Sequence, residues 1–146
     1  MAKELLSKLK YQSTWRLLYF SFITLGVYLG YYIKRQTAVI NAELEPEKEI
    51  DFMLTESIFI ILYLNAVLFF AFFMVGPEHK AFIERTSNLG NFATNILIMV
   101  WGFKMKNRMN LALEAVRGSD TWFHTAWTFL FSPLYFNYKV NALNER

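Results

Sequence analysis

The apolar residues of this chain gather into long runs, with the charged residues confined to the stretches between them. Residues 15–33 form the first run, and Arg16 at its start is the only strongly charged side chain in it. At 1.5 Å per residue it would extend about 28 Å, close to the roughly 30 Å of a bilayer's hydrocarbon. Residues 57–76 carry no charge, and Asn65 is their only clearly polar interior residue; Gly76-Pro77 supplies a stop, and Asp51 or Thr55 a cap at the start. Residues 88–103 are shorter and hold Asn88, Asn91, Thr94 and Asn95, so they either cross a thinned bilayer or re-enter it. The helix they begin should continue through Lys104, Lys106 and Arg108 to Val116, ending at Gly118-Ser119-Asp120. Residues 121–140 form the fourth run, with Ser132-Pro133 midway, where the proline removes one backbone bond and kinks a helix.

The segments between are equally legible. Residues 1–14 read as a short amphipathic helix, Leu5, Leu6 and Leu9 on one face, suited to lie on an anionic leaflet. Helical periodicity continues past Lys34 to about Ala42. Glu43 to Asp51 is an acidic loop in which Pro46 breaks any helix. The expected fold is all-α: a polytopic membrane protein of about four transmembrane helices with amphipathic extensions, residues 15–146 making a single transmembrane domain. The first run is too long for a signal core and is read as a retained span. Trp15, Tyr31, Tyr32, Trp101, Trp122 and Tyr135 lie at the ends of runs and are the expected interfacial anchors.

Composition supports this picture. The chain is 55% hydrophobic and 18% charged, whereas soluble domains carry about 25% charged residues. A net charge of +3 without a Lys/Arg block gives no footing for nucleic acid. With no cysteine, disulfide, thiolate and Cys–metal chemistry are excluded. Four spans would put eight Lys and Arg residues on the side of the termini and seven on the other. The cations ahead of the first span favour cytoplasmic termini.

Four patterns could carry function. Gly26 and Gly30, one turn apart, let another helix approach closely. Asn88, Asn91 and Asn95 share one helix face, as do Asn137, Asn141 and Asn144. These amides must meet other helices, water or headgroups, because lipid cannot satisfy them. The third pattern is a weak repeat: Tyr32, Trp101 and Tyr135 are each followed nine residues later by an asparagine, Asn41, Asn110 and Asn144. It reflects either duplication or the common need of every span for an interfacial ring and a polar exit. Last, His124 stands four residues after Asp120 and could pair with it near a helix start. No cofactor or metal set is evident, no acidic residue lies inside a span, and phosphate-binding, dinucleotide and hydrolase signatures are missing.

Thr24-Leu-Gly-Val-Tyr28, followed by Tyr31-Tyr32 and Asn41, resembles the hallmark of a bacterial family of small membrane proteins, the domain of unknown function four-two-three-four. Ser13-Thr-Trp15 fits the start of that pattern, and Ser132-Pro133-Leu-Tyr135 with Asn144 resembles its later span. The resemblance implies a multi-span protein of the bacterial inner membrane and carries no activity with it. The leading expectation is a non-enzymatic integral membrane protein. It would pack with itself or, as an accessory subunit, with other membrane proteins. The alternative is a small transport or pore-forming oligomer whose polar path is lined by Asn88, Asn91, Asn95, Asn137 and Asn141.

Overall fold

The computed structural model describes residues 2–45 and 49–145; Pro46, expected to break the acidic loop, lies outside them. The fold is all-helical. In chain order the helices are α1 (Ala2–Leu9), α2 (Thr14–Ile23), α3 (Val27–Glu43), α4 (Phe52–Met74), α5 (Pro77–Ala112) and α6 (Thr125–Asn144). Among the described residues one helix, α4, is long and apolar enough to cross a membrane. Asp51 caps α4, accepting the Met53 N–H at 2.8 Å. Pro77 then opens α5, where its missing N–H costs nothing. The antiparallel pair α4–α5 forms the long hairpin around which the other helices pack.

Two of the expected spans are not single helices. The run 15–33 is divided at Thr24-Leu25-Gly26, where Leu25 (φ 52°) and Gly26 (φ 91°) adopt left-handed backbone. A straight run would hold residues 12 and 28 about 24 Å apart. Instead Tyr28 Oη donates to Gln12 Oε1 at 2.6 Å, and the Phe20 and Tyr28 rings lie 5.2 Å apart. α2 and α3 are thus the arms of a hairpin. The expected kink at Ser132-Pro133 is also a reversal. Ser132 has φ 19° and ψ −95° and divides α6 into arms 125–131 and 133–144. Straight, His124 and Tyr135 would sit about 16 Å apart; here the His124 N–H donates to Tyr135 Oη at 3.0 Å and Lys139 Nζ donates to the Asp120 carbonyl at 2.7 Å. The span 88–103 lies inside α5, which starts eleven residues before it and stops at Ala112, short of Val116.

The first reversal closes its own backbone. The Thr24 hydroxyl donates to the Phe20 carbonyl at 2.7 Å and accepts the Tyr28 N–H at 2.9 Å, joining the end of α2 to the start of α3. The N–H groups of Thr24, Leu25, Gly26 and Val27 all find carbonyls within the turn. A helix break stripped of water needs this closure, because each unsatisfied backbone group costs several kcal/mol.

Both glycines of the Gly-xxx-Gly pair serve packing within the chain. A Cβ on Gly26 would come within 2.9 Å of Leu62, and one on Gly30 within 3.2 Å of the Phe59 backbone. α3 therefore sits directly on α4. Trp101 fills the centre of the fold, fully buried against Phe136, with Nε1 donating to Thr37 Oγ1 at 2.8 Å.

Two asparagines fasten the loops. Asn41, near the end of α3, donates to the Ile50 carbonyl at 2.9 Å and accepts the Ile50 N–H at 3.0 Å. Asn110, near the end of α5, does the same to Phe123, at 3.2 and 2.7 Å. Ile50 and Phe123 each immediately precede the N-cap of the next helix. Asn110→Leu leaves both backbone groups of Phe123 unpaired and is expected to cost about 2–3 kcal/mol. Gly30→Leu is expected to cost about 1–3 kcal/mol through overpacking, whereas exposed Asn88→Leu should stay within about 0.5 kcal/mol. Unfolding of each variant in mild detergent measures the three against one another.

Candidate membrane interface

The outer surface is apolar along whole helix faces. On α2, Trp15, Leu18, Tyr19, Phe22 and Ile23 point outward at helical spacing, Trp15 80% and Phe22 83% exposed, while Leu17 is buried beneath them. On α4 only 17% of the most apolar window is buried, so this helix is surface and not the core of a soluble protein. Trp127, Phe129, Leu130 and Phe131 extend the same surface on the descending arm of α6. A contiguous exposed apolar belt of this kind needs lipid or another protein to cover it.

The predicted anchors divide into two groups. Trp15 and Tyr31 are exposed and Trp122 and Tyr135 half-buried, but Tyr32 and Trp101 are sealed in the protein interior. The amphipathic N-terminal segment differs from expectation in a similar way. Leu5, Leu6 and Leu9 of α1 are buried against α3 and α6, leaving its polar face outward. The apolar stripe that sequence reasoning assigned to a leaflet therefore belongs to the protein core.

The two asparagine faces also separate. Asn137 donates to the Gln12 carbonyl and to Thr14 Oγ1, each at 3.1 Å; Asn141 donates to the same carbonyl at 2.9 Å, and Asn144 to the Leu6 carbonyl at 2.7 Å. Asn137 and Asn141 fasten the chain between α1 and α2, and Asn144 holds α1 itself. Asn88, Asn91 and Asn95 all face outward on α5. Asn91 accepts from Asn65 of α4 at 3.1 Å, beside Gly90, where a Cβ would strike the Asn65 amide. Among the described residues Asn88 and Asn91 border an α4–α5 groove and Asn95 a crevice beside Ser132, while Asn137 and Asn141 are turned to Gln12.

Charge concentrates at the end of the fold where α3 and α5 finish. Lys34 pairs with Glu56 at 2.6 Å, and Lys8 with Glu43 at 2.8 Å. The hydrogen bonds that Lys8 donates to Glu43 and then to Glu4 hold its ammonium above its usual range, and Lys8 in turn holds Glu4 low. Arg108 donates to Asn41 Oδ1 at 3.1 Å and the Glu45 carbonyl at 3.3 Å. Burial lowers its affinity for the proton, partly countered by Glu49. His124 caps α6 and His79 stands 3.6 Å from Glu78 at the opposite end. Among the described residues no group of three or more His, Asp or Glu is placed to hold a metal.

Sequence reasoning passed over Gln12, Thr24 and Arg108. Thr24 and Gln12 sat within or beside the quoted motif, but their partners lie across a reversal that the apolar pattern conceals. Of the repeat asparagines, Asn41 and Asn110 share one task, while Asn144 grips α1 instead.

A family model described as a domain of unknown function (DUF4234) matches residues 12–111. The matched stretch starts at Gln12, contains the Thr24 turn and both clamp asparagines, and leaves α6 outside. Neither the curated proteins nor the solved structures contain a match.

If the belt contacts lipid, the tryptophans should report it. In single-Trp variants reconstituted with brominated lipid, Trp15 and Trp127 are expected to be strongly quenched and Trp101 nearly unaffected. Equal quenching of all three would contradict the arrangement.

Proposed function

Because the chain belongs to the DUF4234 family, a membership that assigns no activity, we propose from its geometry that it is a multi-pass bacterial inner-membrane protein that acts by assembling laterally, without chemistry of its own. The α4–α5 hairpin crosses the bilayer. The α2–α3 hairpin and the two arms of α6 dip into it from one face and return. This topology differs from four full spans, and the distribution of charge supports it. Thirteen Lys and Arg residues are described; only Lys80 and Arg85 lie near the α4–α5 turn, and the other eleven lie toward the opposite end. By the positive-inside tendency that richer face, with both termini, is cytoplasmic. Counted over four spans the same cations divide almost evenly, which no orientation explains.

The observation that carries the assembly reading is the outward amide row Asn88, Asn91, Asn95 on α5. Asn91 and Asn95 pack at the depth of α4's apolar middle, where lipid offers amides no partners. A second helix with matching amides would satisfy them, each contact contributing about 0.6–2 kcal/mol. Another copy of this chain provides that helix, as does a larger complex. The alternative, a polar path, needs both amide faces on one wet cavity. In the monomer Asn137 and Asn141 are instead engaged with Gln12.

Two measurements test the proposal. The chain has no native cysteine, so single-cysteine variants at Ser7, Ser119 and His79 can be labelled with an impermeant reagent. His79→Cys is expected to react from the periplasmic side, and Ser7→Cys and Ser119→Cys only after the cytoplasmic face is opened. For assembly, tagged protein in gentle detergent should co-purify an untagged copy or a distinct membrane protein. Asn91→Leu with Asn95→Leu should abolish that while leaving the protein in the membrane fraction. Recovery of a lone 17.3 kDa monomer from the unaltered protein would count against assembly.

A further inference from the structure

The helices are unequally distributed along the long hairpin. The turn joining α2 and α3 abuts Leu62 through Gly26, and Leu25 borders one end of the α4–α5 groove that runs from Asn65 and Leu68 to Phe72 and Phe73. The reversal of α6 is held at Ile98, where Ser132 Oγ donates to the carbonyl at 3.4 Å. Beyond Phe69, toward Gly76, the described protein consists of α4 and the start of α5 alone. Resting on the bilayer reading above, one leaflet holds up to six helical segments and the other two.

We propose that this imbalance makes the protein a wedge that couples to membrane curvature, favouring bilayers convex on the face that receives the hairpins. A helix is about 10–12 Å across, so four additional segments occupy roughly 300–450 Å² in one leaflet only. The lipid must compensate for that area. It does so at least cost where the crowded leaflet is already stretched, the same physics that makes shallow amphipathic insertions curvature-sensitive. The surface chemistry fits. α2 turns Trp15, Leu18, Phe22 and Ile23 outward, so this arm displaces acyl chains; Arg16, exposed at its start, lays its guanidinium 5.5 Å from the centre of the Phe20 ring. The N–H groups of the turn make no demand on the lipid, because Thr24 and the surrounding carbonyls satisfy them. The hairpin can therefore occupy a half-bilayer depth without water following it.

The test uses the full-length chain, fluorescently labelled and reconstituted into phosphatidylcholine/phosphatidylglycerol vesicles about 50 nm and about 400 nm across. The protein is expected to be about threefold or more denser per lipid in the small vesicles. In those vesicles the termini should face outward, accessible to added protease. Equal density at both sizes, with protein that resists alkaline extraction, overturns the wedge and leaves the membrane reading standing. Release by alkaline wash overturns both. A variant combining Trp15→Ser, Phe22→Ser and Ile23→Ser alters only exposed side chains of α2 and keeps α4–α5 intact. It should stay resistant to extraction and lose the preference for small vesicles; an undiminished preference in this variant also overturns the proposal.

Discussion

The whole arrangement depends on finding partners for backbone groups where water is scarce. A helix satisfies its own interior backbone, but a helix that stops inside the protein exposes carbonyls and N–H groups that must be paired locally. This chain stops its helices inside the fold repeatedly and supplies side chains as substitutes. Thr24 bridges the gap between α2 and α3 with one hydroxyl used twice, as donor and acceptor. Asn41 and Asn110 present an amide to a single residue's N–H and C=O, imitating a strand pairing in an all-helical fold. Asn137, Asn141 and Asn144 grip carbonyls of the N-terminal segment. Each of these residues is polar because the backbone beside it has no other partner.

From that constraint the placement of the hairpins follows. The Asn41 clamp fixes where α4 starts after α3, and Arg108 shares the same Oδ1, linking the clamp to α5. The Asn110 clamp fixes where α6 starts after α5. Both reversals are then fastened by a tyrosine two or three residues beyond the break. Tyr28 reaches Gln12, just before α2, and Tyr135 reaches His124, at the N-cap of α6. The two hairpins thus share a plan, a broken backbone followed by a ring that returns to the chain's point of departure. The plan aligns Tyr28 with Tyr135, whereas counting nine residues back from asparagine aligned Tyr32 with Tyr135.

Much of this was legible in the sequence, and what was hidden was hidden for one reason. Hydropathy reports whether a residue suits an apolar environment and says nothing about the direction in which the chain travels. Leu17 to Ile33 is apolar on both sides of Gly26, so a straight span and a folded hairpin read alike. Only Thr24 and Gly26 mark the difference, a polar group and a glycine two residues apart in what otherwise looks like one helix. α4 is legible as one apolar helix, although it starts five residues before the uncharged run 57–76, because it is unbroken, carries a single charge, Glu56, near its start, and is capped by Asp51. The leucines of α1 were read as an apolar stripe, correctly, but a stripe does not state whether protein or lipid covers it. Tyr32 and Trp101 misled in the same way: a ring at the end of an apolar run marks an interface only if the run ends at one, and both end inside the packed core.

The asparagines on α5 then stand out by contrast. Asn41, Asn110, Asn137, Asn141 and Asn144 are all consumed by the chain's own backbone. Asn88, Asn91 and Asn95 are not, and the one described side-chain bond in that row, Asn65 to Asn91, leaves each of those two amides with capacity to spare. A fold that elsewhere assigns its amides so consistently to buried backbone would have little reason to keep three of them outward on one face. In water they would be ordinary surface residues, but Asn91 and Asn95 lie alongside the apolar middle of α4, where an amide without a partner is a cost. Gly90 sharpens the argument, since its missing side chain admits Asn65 to the row and widens the amide surface by a neighbouring helix. In the bilayer placement proposed above, that cost disappears when something with complementary donors and acceptors lies against α5. An amide row is its own complement, which makes another α5 the simplest surface able to meet it.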